Sequence, residues 1–228
     1  MNDETWSAVD AYFEQQLIPS DATLEMSLQA SEAAGLPSIQ VSASQGKFLH
    51  LLALAQGARR ILEVGTLGGF STLWLVRALP ADGHLVTLEV EPRHAEVARG
   101  NFARAGAAER IELKVGPALD TLARLRAEHV APFDFVFIDA DKPNNLGYVQ
   151  AALHLSRVGT LIVVDNVVRE GAVVAQSHDA AVEGVRRMTE WIRHEPRLSA
   201  TVIQTVGVKG YDGFLLARVQ AGPRIDAE

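Results

Sequence analysis

The chain has 228 residues, 48% of them hydrophobic and 21% charged, with a formal net charge of −7 and no cysteine. That length supports a substantial core in one domain. The acidic balance, with no basic run, argues against nucleic acid as a partner, and the lack of thiols excludes disulfides and thiolate metal centres.

The start, MNDETWSAVDAYFEQQL, is polar and acidic, unlike a signal peptide. No apolar stretch approaches the roughly 20 residues of a membrane span. The expectation is a cytoplasmic protein with no membrane partner. Residues 5–17 and 21–34 read as two helices separated by Pro19-Ser20, with Ser20 or Asp21 as N-cap and Gly35-Leu36-Pro37 as a stop. A third helix is predicted over 44–56, where Phe48, Leu51, Leu52 and Ala55 recur at helical spacing and Gly57 ends the run. Residues 1–57 thus form a helical cover able to close one mouth of a sheet. Residues 58–228 form the core of a single 1–228 domain.

From Ile61 the pattern alternates. Strands are predicted at 61–64, 84–89, 111–115, 133–138 and 160–164, with helices at 70–79, 92–105, 118–128 and 145–155 between them. A helix at 180–194, a strand at 200–205 and a last strand at 213–219 follow, the last two joined by the turn-rich link 206–213. This is an α/β chain with a doubly wound, mainly parallel sheet and helices on both faces. The final strand pair suits antiparallel pairing.

The stretch RRILEVGTLGGFSTLW, residues 60–75, is a buried strand, a glycine turn and a helix. That is the ligand-binding corner of such a sheet. Its spacing is Gly65-x-x-Gly68-Gly69 rather than G-x-G-x-x-G. Glu63 sits just before the turn, where its charge would repel a pyrophosphate but not a cationic or ribose-bearing ligand. Ligands in these sheets sit outside the carboxyl ends of the strands. The second strand ends at Glu89, roughly 20 residues past the turn, where an acid holds the ribose hydroxyls of a nucleoside. The fourth strand ends in Asp139-Ala140-Asp141-Lys142 and the fifth in Asp165-Asn166. If those strands are neighbours, Asp139, Asp165 and Asn166 converge. Clustered carboxylates repel and raise one another's pKa unless a cation lies between them. An all-oxygen set with no nearby His or Cys favours Mg²⁺, Ca²⁺ or Mn²⁺ over zinc.

Blander readings exist. Glu63 could cap the turn through backbone N–H groups. Asp139 and Asp165 could be isolated strand-end acids, and Lys142 a surface lysine pairing with Asp141. The seven histidines have no metal-ligand spacing and read as structural or surface. Two other functions share parts of the pattern. A nicotinamide-dependent oxidoreductase shares the sheet and Glu89, but not the glycine spacing. A cofactor-binding regulator without catalysis would leave the strand-end acids without a purpose.

Together, ILEVGTLGGFSTLWL, VTLEVEP, FVFIDADK and LIVVDN, in this order, resemble the metal-dependent class I S-adenosylmethionine O-methyltransferases, which include the catechol and caffeoyl-coenzyme A enzymes. The resemblance runs from about Val41 to Val219 and implies a seven-stranded Rossmann-like sheet with an antiparallel last strand. It implies Asp139, Asp165 and Asn166 as metal ligands, and Val41, Glu63, Gly65, Thr66, Ser71, Glu89, Ala118, Asp139 and Asp141 as positions at the cofactor. Lys142 matches the family's proposed general base, with Asp139 beside it at the reaction centre. The implied reaction moves a methyl group from S-adenosylmethionine to a hydroxyl of a catechol-type or hydroxycinnamoyl phenol, with two adjacent phenolic oxygens on a divalent metal. A metal-independent methyltransferase is the alternative. After the metal site, VVREGAVV stands where the plant coenzyme A branch has an aromatic-bearing loop, so the chain more closely resembles bacterial members with broad phenolic substrates. A homodimer is the family expectation.

Overall fold

The computed structural model describes residues 3–221. Both ends of the expected 1–228 domain, residues 1–2 and 222–228, lie outside the described residues. Three helices lead the chain: α1 (Asp3–Leu17), α2 (Ala22–Ala33) and α3 (Ala43–Ala55). Asp21 caps α2 by accepting the N–H groups of Thr23 and Leu24, and Ser42 caps α3 by accepting that of Gln45. The core then alternates β1 (Arg60–Val64), α4 (Phe70–Val76), β2 (His84–Glu89), α5 (Pro92–Arg104), β3 (Ile111–Val115), α6 (Ala118–Ala127), β4 (Phe133–Ile138), α7 (Asn145–His154) and β5 (Ser156–Asp165). Helix α8 (Ala180–Arg193) and the strands β6 (Leu198–Gly207) and β7 (Gly210–Val219) complete it.

The seven strands form one sheet in the order β3-β2-β1-β4-β5-β7-β6. The first five are parallel, and β7 runs antiparallel between β5 and β6. The alternation of strand side chains builds two cores. On β4, Val136 and Ile138 face the layer of α6, α7 and α8, where Leu122, Val149 and Met188 wait. Phe135 and Phe137 face the other layer and meet Leu49, Leu73 and Phe102 from α3, α4 and α5. All six residues of β4 are buried, as expected of a strand covered on both faces. On α8, Val182, Val185, Met188 and Ile192 repeat at helical spacing and form its buried stripe.

Three elements differ from the sequence expectation. Helix α4 stops at Val76 instead of Leu79, because Ala78 and Leu79 donate to Leu75 and Val76 in tighter turns just ahead of Pro80, which disfavours helical backbone before it. β5 starts four residues early, at Ser156. The link expected over 206–213 is strand instead: β6 and β7 pair down to Gly207 opposite Gly210, leaving only Val208 and Lys209 as the turn. Among the described residues no helix is long and apolar enough to cross a membrane.

Candidate active site

The strand order puts β1 between β2 and β4, so the chain leaves β1 in opposite directions on its two sides. A crevice opens at such a switch point, outside the carboxyl ends. The glycine turn after β1 forms its floor. Gly65 has φ +102°, and a Cβ there would lie 2.1 Å from the Asp139 carbonyl oxygen, so only glycine lets the turn lie against the end of β4. Glu89, at the end of β2, fastens the turn: one carboxylate oxygen accepts the Leu67 N–H at 2.7 Å and the other that of Glu91 at 2.9 Å. The Thr66 and Thr87 hydroxyls share a hydrogen bond of 2.6 Å beneath.

Glu63 lies below the floor and is fully buried. It does not line the crevice, contrary to the expectation, and it accepts no backbone N–H as a cap would. Its carboxylate accepts the hydroxyls of Ser71 and Thr87, each at 2.7 Å, and of Thr72. Burial, helped a little by the Asp139 charge, pushes its pKa up to about 7 against the pull of the three hydroxyls. The repulsion of a pyrophosphate anticipated from this acid is therefore softened near neutral pH. Ser71 carries the effect of Glu63 to the crevice surface.

The other half of the site lies on β4 and β5. These strands pair with Ile138 beside Val164, which brings the following residues, Asp139 and Asp165, to one end. Asn166 has φ +54°, so the chain leaves the extended conformation between Asp165 and Asn166. Both adjacent side chains can then turn toward one point, which a continuing strand would forbid. Asp165 is 5% exposed. Its Oδ1 accepts the Asn166 N–H at 2.8 Å and its Oδ2 accepts Gln45 Nε2 at 2.6 Å. Burial, and then the Asp139 charge, raise its pKa to about 7, against the pull of Lys142. Lys142 is buried and donates Nζ to Asp139 Oδ1 at 2.9 Å. It is not a surface lysine paired with Asp141, which instead accepts Asn144 Nδ2 at 2.6 Å and the Tyr148 hydroxyl. Burial and the Asp141 carboxylate push the Tyr148 phenol up.

The donor chemistry fits a hard divalent cation. Among the described residues no group of three His, Cys, Asp or Glu side chains is placed to hold a metal; beside the two acids the strand ends offer the amide oxygen of Asn166, a hard donor that such an ion accepts. Each carboxylate oxygen has two lone pairs, so the hydrogen bonds from Lys142, Gln45 and Asn166 leave acceptor sites open. An acid held neutral up to about pH 7 beside a second acid is a pair that a cation would relieve.

Above the floor is a cavity of about 1050 Å³. Val41, Gly65, Thr66, Ser71, Glu89, Ala118, Asp139, Asp141, Lys142 and Asn166 all line it; Glu63 and Asp165 lie behind. The helical cover contributes Leu28, Ser31, Glu32 and residues 36–41 as a wall. The sequence reading missed His94, whose Nδ1 stands 3.6 Å from Glu89 at the cavity. It also missed Tyr148, Gln45 and Arg169. Gln45 lies inside VSASQGKFL, but its partner Asp165 is 120 residues away, and no local signal links them. Tyr148 could have been found: on a helix starting at Asn145 it lies one turn in, on the side facing the preceding loop.

Comparison with known proteins places this geometry. Residues 19–220 match the family described as O-methyltransferase. The chain is 56% identical over 212 residues to a catechol O-methyltransferase of Mycobacterium tuberculosis, spanning 93% of this chain and 95% of that one. It is 47% identical over 221 residues to a catechol O-methyltransferase of Niastella koreensis, spanning 96% and 100%. Among solved structures, an O-methyltransferase from Bacillus cereus in complex with SAH superposes with a TM-score of 0.94 at 55% identity, covering 96% of this chain and all of that one. An O-methyltransferase from Streptomyces achromogenes involved in tomaymycin synthesis, in complex with SAM, gives 0.93 at 51% identity, covering 97% and 100%.

Proposed function

This chain belongs to the O-methyltransferase family and is an S-adenosylmethionine-dependent O-methyltransferase, and we propose that it methylates vicinal diphenols held on a divalent cation by Asp139, Asp165 and Asn166. The observation that carries the proposal is that Asp139, Asp165 and Asn166 stand at the neighbouring ends of β4 and β5, on the flank of the crevice away from Glu89. Two relatives named catechol O-methyltransferase support it.

The cofactor supplies a methyl group already activated on a sulfonium. A bound Mg²⁺, or Ca²⁺ or Mn²⁺, supplies Lewis acidity that lowers the pKa of a phenol. The chain does the rest. Glu89 holds the ribose, its two oxygens aligned by the Leu67 and Glu91 N–H groups. Gly65, Thr66 and Ser71 form the bed for the methionine end, with Glu63 orienting the Ser71 hydroxyl from below. Val41, Ala118 and Asp141 border the remainder of the cofactor. Among the described residues Lys142 is the one lysine lining the cavity. Its Nζ, once it has given up its own proton, is the group placed to accept that of the phenol, and Asp139 holds it in position. Orientation of donor and acceptor in one cleft contributes much of the acceleration.

Turnover of a vicinal diphenol with labelled S-adenosylmethionine tests the reading. Chelator should abolish methylation and Mg²⁺ restore it. Asp165→Ala should abolish it while cofactor binding largely persists, since the main cofactor sites lie at the ends of β1 and β2. Full turnover in excess chelator would leave a metal-independent methyltransferase. We further propose a homodimer. The exposed Tyr12, Phe13 and Leu17 of α1, and Val202, Ile203 and Val206 on the edge strand β6, support it.

A further inference from the structure

We propose that Arg169 reads an anionic group on the acceptor, so that the preferred substrates are vicinal diphenols carrying a carboxylate on the side of the ring away from the cofactor. The inference rests on the diphenol reading above. It begins with the sheet order. Glu89 lies on β2, the glycine turn on β1, and the two acids on β4 and β5, with β7 next outward. A ring whose hydroxyls meet Asp139, Asp165 and Asn166 must extend its far side away from β1, toward the loop that follows β5. Arg169 is on that loop and lines the cavity.

The loop is built to hold it there. Arg169, Glu170 and Gly171 are all left-handed, with φ of 55°, 54° and 85°. For the two non-glycine residues this conformation is costly and persists only when the surroundings impose it. Asp212, near the start of β7, imposes it: Oδ1 accepts the N–H groups of Val168, Arg169 and Gly213, each at 2.9 Å. The backbone is pinned, but the guanidinium is not consumed. Its ion pair with Asp212 Oδ2 is long, 3.9 Å, and its Nε is shielded from water with no acceptor. A shielded donor with no partner is costly to leave so, and a planar fork of donors suits a carboxylate.

Among the described residues, the other basic side chains lining the cavity are engaged. Lys142 is committed to Asp139, and His94 stands 3.6 Å from Glu89. The acids Glu89 and Glu91 gather at the β2 flank, which disfavours an anion there and leaves the β5–β7 flank for it.

The test compares a vicinal dihydroxybenzoate with its neutral dihydroxybenzamide, using Mg²⁺-loaded enzyme and labelled S-adenosylmethionine. The readout is the ratio of kcat/KM for the acid to that for the amide, in wild type, Arg169→Gln and Arg169→Lys. The ratio should fall about 10- to 100-fold in Arg169→Gln and recover in part in Arg169→Lys, which keeps the charge but not the fork. Cofactor affinity by calorimetry should stay at the wild-type value in both, which also certifies folding. An unchanged ratio overturns the inference and leaves the diphenol reading standing. An equal loss of cofactor affinity assigns Arg169 to the cofactor and also overturns it. No turnover of either ring removes the diphenol reading and the inference with it.

Discussion

Glu63 should make the ligand-free enzyme lose stability as pH rises. Its pKa is about 7 in the fold against an ordinary value of 4.5, chiefly because burial disfavours the charge. For an acid with a raised pKa, the folded state keeps its proton to higher pH than the unfolded state. The unfolded chain therefore binds fewer protons between these two values, and the stability of the fold declines across that window and levels off above it. From pH 5 to pH 8 the loss attributable to Glu63 is about 2–3 kcal/mol. For a chain of this size that is roughly 5–10 °C in Tm. Asp165 is raised in the same direction, so the wild-type slope alone does not isolate Glu63.

The Glu63→Gln variant does isolate it. The amide cannot ionise, and the Ser71, Thr72 and Thr87 hydroxyls can rotate to accept from it. Thermal melts of the metal-free, cofactor-free protein should show wild type losing about 2–3 kcal/mol more than the variant between pH 5 and pH 8. Parallel pH profiles would refute the argument, whatever the absolute stability of the variant. They would mean that the three hydroxyls hold Glu63 ionised in the fold despite its burial.

Two further outcomes follow from the same geometry. Glu89→Ala should weaken S-adenosylmethionine binding by about 10- to 100-fold in calorimetry, since a charge-assisted pair of hydrogen bonds is lost; unchanged affinity would remove Glu89 from the ribose. Lys142→Ala should lower turnover at saturating substrate across the pH range while cofactor affinity is kept and divalent-cation affinity is kept or raised, because Asp139 Oδ1 loses a competing ammonium; undiminished turnover would leave Lys142 as a positioning residue only.

The sheet was legible in the sequence because each parallel strand is buried on both faces and shows as a short apolar run between turn residues. FDFVFI is the clearest case, with every residue buried. The strand-end residues were legible for the same reason: the run stops, and the next polar side chain faces the crevice. What the sequence concealed were pairings set by tertiary approach. Lys142 chooses Asp139, three residues back, over the adjacent Asp141, because Tyr148 and Asn144 already occupy Asp141. The antiparallel pair that the link at 206–213 suits is present, but the turn itself is shorter than its glycines suggest, because the strands extend to Gly207 and Gly210. Gly213 sits within β7, where a Cβ would lie 2.4 Å from the Ile203 carbonyl oxygen, so its absence of a side chain permits close strand approach.

The helical cover has a physical tie to the chemistry that its sequence did not announce. Gln45 on α3 reaches Asp165 Oδ2, and α3 is in turn held by Glu14 of α1, whose Oε1 accepts the Ser44 N–H at 3.2 Å and its hydroxyl at 3.1 Å. Helix α1 is also fastened at this same end of the sheet, where Asp10 accepts the Val208 N–H at 2.7 Å in the β6–β7 turn. The chain of contacts therefore runs from the hairpin through the cover to the acid at the end of β5. The proposed ion site is built by two strand ends and oriented by a third element, which is the arrangement a metal ligand needs from its surroundings. It also accounts for an acid that stays buried at a cost: the cover removes Asp165 from water, its pKa rises, and on the proposed reading a divalent cation restores its charge.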